Sequence, residues 1–297
     1  MLTPEQIKFF KLKANEIRTS IIEMLVSAGS GHSAGPLGMA DVFTALYFHI
    51  LKHDSQNPSW EERDRLVLSN GHICPVLYST MAHAGYFSIE ELNTLRKFGS
   101  RLQGHPHREY LPMLETSSGP LGVGLSQAVG MALASRIDHG NDSDRFVYAL
   151  LSDGELEEGN TWEAAMLAGK ERLRNLIAIV DRNNIQIDGF TEDIMPLNPL
   201  VDKWKAWNWH VQEIDGHNFD EIVNAVNEAK AVYEKPSVII ARTIPGKGVS
   251  YMERDYKWHG SPPGVSDMPG EPSKEEQVKI ALEELRTLGG RIQSENQ

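Results

Sequence analysis

Two short polar motifs, Asp153-Gly154 and Asn183-Asn184-Ile185, each end an apolar run, and a helical pattern lies between them. The runs at 145–152 and 175–181 are rich in β-formers, and 161–172 carries helical spacing, so the unit reads as strand, helix, strand. Such a crossover is right-handed and makes its strands parallel. Both motifs then fall on one edge of the sheet, the edge where open α/β folds bind ligands. One carboxylate (Asp153), one amide oxygen (Asn183) and a backbone carbonyl (Ile185) make a hard, incomplete oxygen site. Magnesium uses such sites when phosphate oxygens and water complete its octahedron. Either motif alone is an ordinary strand-to-helix turn; as a pair around one helix they predict a metal-bridged diphosphate. The neighbouring Glu155 and Glu157 read as a solvated helix start favoured by the helix dipole.

Further strands are expected at 65–69, 210–215 and 237–243, with helices at 74–84, 121–137 and 219–232. At the N-terminus Thr3-Pro4-Glu5-Gln6 reads as a capped start, with Ile7, Phe10, Ala14, Ile17, Ile21 and Leu25 at helical spacing and Gly29 as the stop. A second helix is expected from about 39 to 51. Ser273-Lys274-Glu275-Glu276 caps a last amphipathic helix that should end at Gly289-Gly290, before a frayed polar tail. Strands alternating with helices predict an α/β fold with a mostly parallel sheet and helices on both faces. Continuous apolar strands such as Leu176-Ile177-Ala178-Ile179-Val180 agree, because both faces of such a sheet are covered. The Gly/Pro-rich stretches 98–124 and 244–272 are too long for simple connectors and read as functional loops. No repeat or coiled-coil heptad is present, and the 297 residues read as one domain.

A net charge of -12 argues against nucleic acid as partner, since non-specific binding there rests on basic neutralisation. No apolar run reaches the length of a membrane span and no signal-peptide order is visible, so a soluble cytoplasmic protein is expected. The single cysteine, Cys74, rules out internal disulfides and reads as a small core residue.

Four histidines share one format, a loop with glycine alongside: Ser30-Gly31-His32, Asn70-Gly71-His72, Gly104-His105-Pro106 and Trp258-His259-Gly260. Glycine there lets backbone approach a ligand while the imidazole projects. Singly each is more often a structural or exposed histidine; four alike are not. Zinc is a poor fit, because neither an H-E-x-x-H helix nor a Cys/His cluster exists. Imidazoles that bind phosphate and sugar hydroxyls suit the loop positions better. The segment Thr243-Ile244-Pro245-Gly246-Lys247-Gly248 lacks P-loop spacing, and Gly122-Val123-Gly124 lacks the third glycine of a dinucleotide site.

Taken in order, Ser30-Gly31-His32-Ser33-Ala34-Gly35-Pro36-Leu37-Gly38-Met39-Ala40-Asp41, Leu68-Ser69-Asn70-Gly71-His72, Gly104-His105-Pro106, Ser118-Gly119-Pro120-Leu121-Gly122, the Asp153 and Asn183 pair, Ile185-Gln186-Ile187-Asp188-Gly189 and His259-Gly260 resemble the N-terminal, diphosphate-binding domain of transketolases. The likeness runs from about residue 15 to 265. It favours transketolase over the deoxyxylulose-phosphate synthases. The resemblance implies thiamine diphosphate with Mg²⁺ or Ca²⁺ held by Asp153, Asn183 and the Ile185 carbonyl. By the same carry-over Gly154, His72 and His259 contact the diphosphate, Gly119 and Leu121 the aminopyrimidine, and Ile187 the thiazolium region. His32, His105 and His259 face the sugar, and Glu158 meets a glutamate across a subunit interface.

Two departures stand out. The family's usual Gly-Asp-Gly is Ser152-Asp153-Gly154, which should adjust the backbone without losing the metal. The pyrimidine-binding and C-terminal domains of full-length transketolases have no counterpart here, and the glutamate that activates the aminopyrimidine belongs to them. The resemblance therefore implies one half of a split transketolase, completed by a C-terminal subunit in an α2β2 heterotetramer and acting on sugar phosphates. The competing expectations are a non-catalytic or regulatory subunit of the same fold, and a synthase-type thiamine enzyme using pyruvate.

Overall fold

The computed structural model describes residues 1–141, 144–267 and 269–287. The first helix, α1 (Pro4–Ala28), opens with the expected reciprocal cap: Thr3 accepts from the Gln6 amide, and the Gln6 side chain accepts from Thr3 N at 2.9 Å. Gly29 closes it in the left-handed conformation at φ 63°. The second helix, α2 (Ala34–Ala45), starts earlier than the sequence suggests. Pro36 sits in its first turn, where the missing N–H costs no intrahelical bond. Gly38 lets the helix pack on the Ile244 carbonyl, only 2.9 Å from where a Cβ would stand.

Strand β1 (Arg65–Leu68), helix α3 (Cys74–His83), helix α4 (Gly124–His139), strand β2 (Val147–Ser152), helix α5 (Gly159–Glu171) and strand β3 (Leu176–Arg182) follow. A short hairpin of β4 (Ile185–Gln186) and β5 (Gly189–Phe190) leads to α6 (Thr191–Ile194) and α7 (Leu200–Ala206). The chain then runs through β6 (His210–Asp215), α8 (Phe219–Ala231) and β7 (Ser237–Arg242) to α9 (Lys274–Thr287). The stop expected at Gly289-Gly290 and the polar tail lie outside the described residues.

The main sheet has the order β1-β2-β3-β7-β6, and each neighbouring pair is parallel. Strand alternation divides the core in two. Tyr148, Leu150, Ile177, Ile179 and Ile239 point to the face covered by α1, α2, α3, α8 and α9. Val147, Ala149, Leu151, Ala178, Val180, Val238 and Ile240 point to α4, α5 and α7. Each buried side chain of Val, Leu or Ile size adds roughly 1.5–3 kcal/mol, and both layers are needed to bury strands this apolar. Among the described residues no helix is long and apolar enough to cross a membrane.

The helix expected over 121–137 begins instead at Gly124, and Leu121 belongs to the preceding loop. Gly122 adopts φ 81°, which ends helical continuity, and Gly124 packs so tightly on Ser69 that a Cβ would sit 2.5 Å from its side chain. All main-sheet strands run the same way, so the ends of β1, β2, β3 and β7 lie along one edge.

Candidate active site

Three strand tips build the site. Ser152 at the end of β2 is in register with Asp181 of β3. That register brings Asp153 and Asn183–Asn184 together, as expected from their spacing. The Asp153 carboxylate is fully buried: Oδ1 accepts from Gly154 N at 2.8 Å, and Oδ2 accepts from Asn184 N at 2.5 Å and Arg182 Nη1 at 3.2 Å. Asn184 makes this possible by taking the left-handed conformation (φ 65°), which Asn tolerates better than most residues. Asn183 gives its Nδ2 to Asp181 at 2.8 Å, and its Oδ1 accepts from Ile185 N at 3.0 Å.

Burial pushes the Asp153 carboxyl up to about 6 against the pull of Arg182 and the two amides. Burial and the Asp153 charge push Asp181 up to about 7. One buried guanidinium, Arg182, pairs with Asp153 and also binds Thr191 and Glu192. The donor set therefore fits a divalent cation with its phosphates. Asp153, Asn183 and the Ile185 carbonyl supply only oxygen, and Asp153 Oδ1 and Asn183 Oδ1 each accept a single hydrogen bond and keep a second lone pair. A cluster of three or more His, Cys, Asp or Glu side chains placed to hold a metal ion is absent among the described residues.

The opposite wall is histidine. The rings of His32 and His72 lie 4.8 Å apart, His72 and His259 5.2 Å, and His32 and His259 5.4 Å. They arrive from the loop before α2, the loop after β1 and the long loop after β7. His105 stands beside Gly119, where a Cβ would lie 3.5 Å from the imidazole. All four are held neutral at pH 7. Burial lowers His32 to about 3, with His259, Arg96 and His105 adding to the effect. Burial lowers His259 to about 4 and takes His72 well below its ordinary value. Burial, then Arg96, lowers His105. A neutral imidazole offers one donor and one acceptor: both match a sugar hydroxyl, and the donor alone matches a phosphate oxygen. Nδ1 of both His32 and His259 is buried without a partner. Buried polar atoms left unsatisfied are uncommon, and these point to a ligand that completes them.

Between the walls runs a cleft of ≈ 350 Å³ lined by His32, His72, His105, His259, Gly119, Leu121, Gly154, Glu158, Ile185 and Ile187 among others. Asp153 and Asn183 lie beneath its floor, both buried. Glu158 is exposed at the start of α5. Cys74 is a buried core thiol pushed up to about 12 by burial, as expected.

Glu155 overturns its expectation. It is fully buried rather than a solvated helix start, and its Oε1 accepts from Gly122 N at 2.7 Å and from the Ser69 hydroxyl. The second oxygen accepts from Ser152 N at 3.3 Å. Glu157 is half-buried, with one carboxylate oxygen lacking a partner. His217 was also illegible. Its Nδ1 pairs with buried Asp41 at 2.7 Å while Nε2 accepts from Ile244 N at 2.8 Å, anchoring the loop that later delivers His259.

A parallel α/β sheet with such a cleft at its carboxyl edge defines a ligand-binding α/β protein. Residues 10–274 match the family described as transketolase, thiamine diphosphate binding domain. The 6-deoxy-6-sulfo-D-fructose transketolase subunit of Clostridium sp. (strain MSTE9) is 50% identical over 247 residues, covering 83% of this chain and 89% of that protein. An apulose-4-phosphate transketolase subunit from Phocaeicola vulgatus is 38% identical, covering 98% of this chain and 99% of that protein. The solved transketolase from Leishmania mexicana superposes with a TM-score of 0.84 at 34% identity, covering 96% of this chain and 42% of that one. This chain thus spans nearly all of the two subunit relatives and less than half of that solved transketolase. The chain belongs to the transketolase family, in its thiamine diphosphate-binding domain.

Proposed function

We propose that this chain is the diphosphate-binding subunit of a split transketolase. On this reading it forms one domain, acts in the cytoplasm, and is completed by a second polypeptide supplying the pyrimidine-binding side, in an α2β2 assembly. Asp153, Asn183 and the Ile185 carbonyl would hold Mg²⁺ or Ca²⁺, while Gly154, His72 and His259 would contact the diphosphate. Gly119, Leu121 and Ile187 would flank the ring systems. Bound thiamine diphosphate would supply the carbanion chemistry that moves a two-carbon ketol unit from a ketose to an aldose.

The chain's own residues orient and stabilise. His32, His105 and His259, neutral at pH 7, would donate to the sugar oxygens where negative charge develops. Glu158, exposed beside the cleft, would meet the partner's carboxylate. The single observation that carries this reading is the common cleft: three closely grouped imidazoles line it together with Gly154 and Ile185, the neighbours of buried Asp153 and Asn183.

The names of the two subunit relatives specify a sulfo-sugar and a sugar phosphate. The substrate class is therefore proposed as a ketose with an anionic terminus, phosphate or sulfonate. The test mixes this chain with its candidate partner, thiamine diphosphate and Mg²⁺. Xylulose 5-phosphate, apulose 4-phosphate and 6-deoxy-6-sulfo-D-fructose are then assayed as donors to an aldose phosphate. Ketol transfer by the mixture, and by neither chain alone, is expected. An assembled complex that turns over none of the three refutes the reading.

A further inference from the structure

The carboxylate of Glu155 sits where three separate segments meet, 86 residues from one partner and 33 from another. The Ser69 hydroxyl comes from the tip of β1, three residues before His72. Gly122 N comes from the loop that carries Gly119 and Leu121. Ser152 N belongs to the last residue of β2, directly before Asp153. Ser69 Oγ accepts in turn from Gly124 N at 3.0 Å, and Gly122 O accepts from Asn160 Nδ2 at 2.7 Å. The network thus joins the two loops on one side of the cleft to the acidic turn on the other. Among the described residues no Lys, Arg or His pairs with this carboxylate; the Ser69 hydroxyl and two backbone amides compensate it.

Packing alone does not explain this choice. A carboxylate moved out of water costs several kcal/mol unless donors replace the water, and an apolar side chain of that size would fill the space at lower cost. A carboxyl whose two oxygens both accept does what no apolar group can. It binds the free N–H of Gly122, a residue whose φ of 81° already marks a sharp turn, and holds that turn at a fixed distance from Ser152. Gly71 lies against the Gly119 backbone with no room for a Cβ, so any shift of the 119–124 loop also moves the His72 loop.

We infer that Glu155 is a positioning residue that presets the width of the cofactor cleft by tying the Ser69–His72 tip and the Gly119–Leu121 loop to the Asp153 turn. This rests on the proposed cofactor reading for what fills the cleft, but the tie itself does not.

The test is Glu155→Gln, which keeps the shape but turns one acceptor into a donor that faces an N–H or hydroxyl. Backbone amide exchange is followed in the full chain without cofactor; thiamine diphosphate affinity is measured with Mg²⁺; and kinetics are run on the assembled complex. Exchange at Gly122 and Gly124 is expected to rise about tenfold or more, the scale of one lost charge-assisted hydrogen bond. The Kd and KM for cofactor are expected to rise by a similar factor, with kcat at saturating cofactor within about threefold of wild type. A purely structural role would instead lower kcat and the thermal midpoint together. If Glu155→Gln fails to fold, Ser69→Ala removes one donor and keeps the carboxylate, and should move exchange and Kd in the same direction by a smaller factor. Unchanged exchange in the variant that folds overturns the tie. Raised exchange with unchanged Kd overturns its positioning role. Failure of the wild-type chain to bind thiamine diphosphate sinks the cofactor reading instead, and leaves the exchange result to judge the tie.

Discussion

Replacing His32 with Gln should flatten the acid side of the stability profile by about one proton. His32 is held neutral in the fold down to about pH 3, whereas in the unfolded chain it protonates near 6.5. As pH falls from about 7.5 to about 5.5 the unfolded state therefore gains a proton that the folded state refuses. Stability is lost as pH drops through the unfolded value and stops falling only below the folded one. At a pH of about 5.5 one such histidine costs about 1.4 kcal/mol, so His32 and His259 together cost about 3 kcal/mol, and His72 acts in the same direction. Their proximity reinforces this, since a charge on one ring would repel a second about 5 Å away by roughly 3 kcal/mol at an effective dielectric near 20. The assay is urea unfolding of wild type and His32→Gln at both pH values. The wild type should lose about 1.4 kcal/mol more than the variant over the interval. Parallel losses would refute the neutral, buried imidazole.

Asp41→Asn should be costly. The buried carboxylate binds Arg18 Nη2 at 2.6 Å and His217 Nδ1 at 2.7 Å, and these outweigh burial to hold it at about 2. Leaving Arg18 buried and uncompensated should cost ~3–5 kcal/mol. With roughly 2.1 cal/mol/K of unfolding entropy per residue, that lowers Tm by about 5–8 °C in a calorimetric scan; a drop under about 1 °C would contradict the pairing. His105→Ala, at the cleft wall, should slow transfer about tenfold or more while cofactor Kd stays within about threefold, read by single-turnover kinetics beside titration; equal losses would assign it to the cofactor. Cys74 should resist a thiol-specific disulfide reagent at a pH of about 8 until the chain is unfolded, and rapid labelling of the folded chain would contradict its burial.

The parallel sheet was legible because its strands are apolar on both faces, a pattern that needs cover on both sides. Leu176 to Val180 alternates residue by residue between the two cores, which accounts for an unbroken apolar run. The meeting of Asp153 and Asn183–Asn184 was legible for a related reason: a single crossover fixes where the two strand ends fall. Glu155 was not. A carboxylate next to a Gly turn looks the same on a solvated helix start as in a buried socket, and only Ser69 and Gly122, distant in the chain, tell the two apart. Leu121 reads as helical because its apolar periodicity continues into α4, while the break falls at Gly122, whose N–H binds that same distant carboxyl. His217 carried no local mark either, since Asp41 and Ile244 reach it only through tertiary packing.

The central claim is that a divalent ion joins the β2 and β3 tips to the cofactor's diphosphate. Anomalous diffraction from the assembled complex grown with thiamine diphosphate and Mn²⁺ in place of Mg²⁺ tests it most directly. One manganese peak is expected about 2.1 Å from oxygens of Asp153, Asn183 and the Ile185 carbonyl, with diphosphate oxygens completing its shell. A peak elsewhere, or a diphosphate seated in the cleft with no ion between it and these residues, would contradict it.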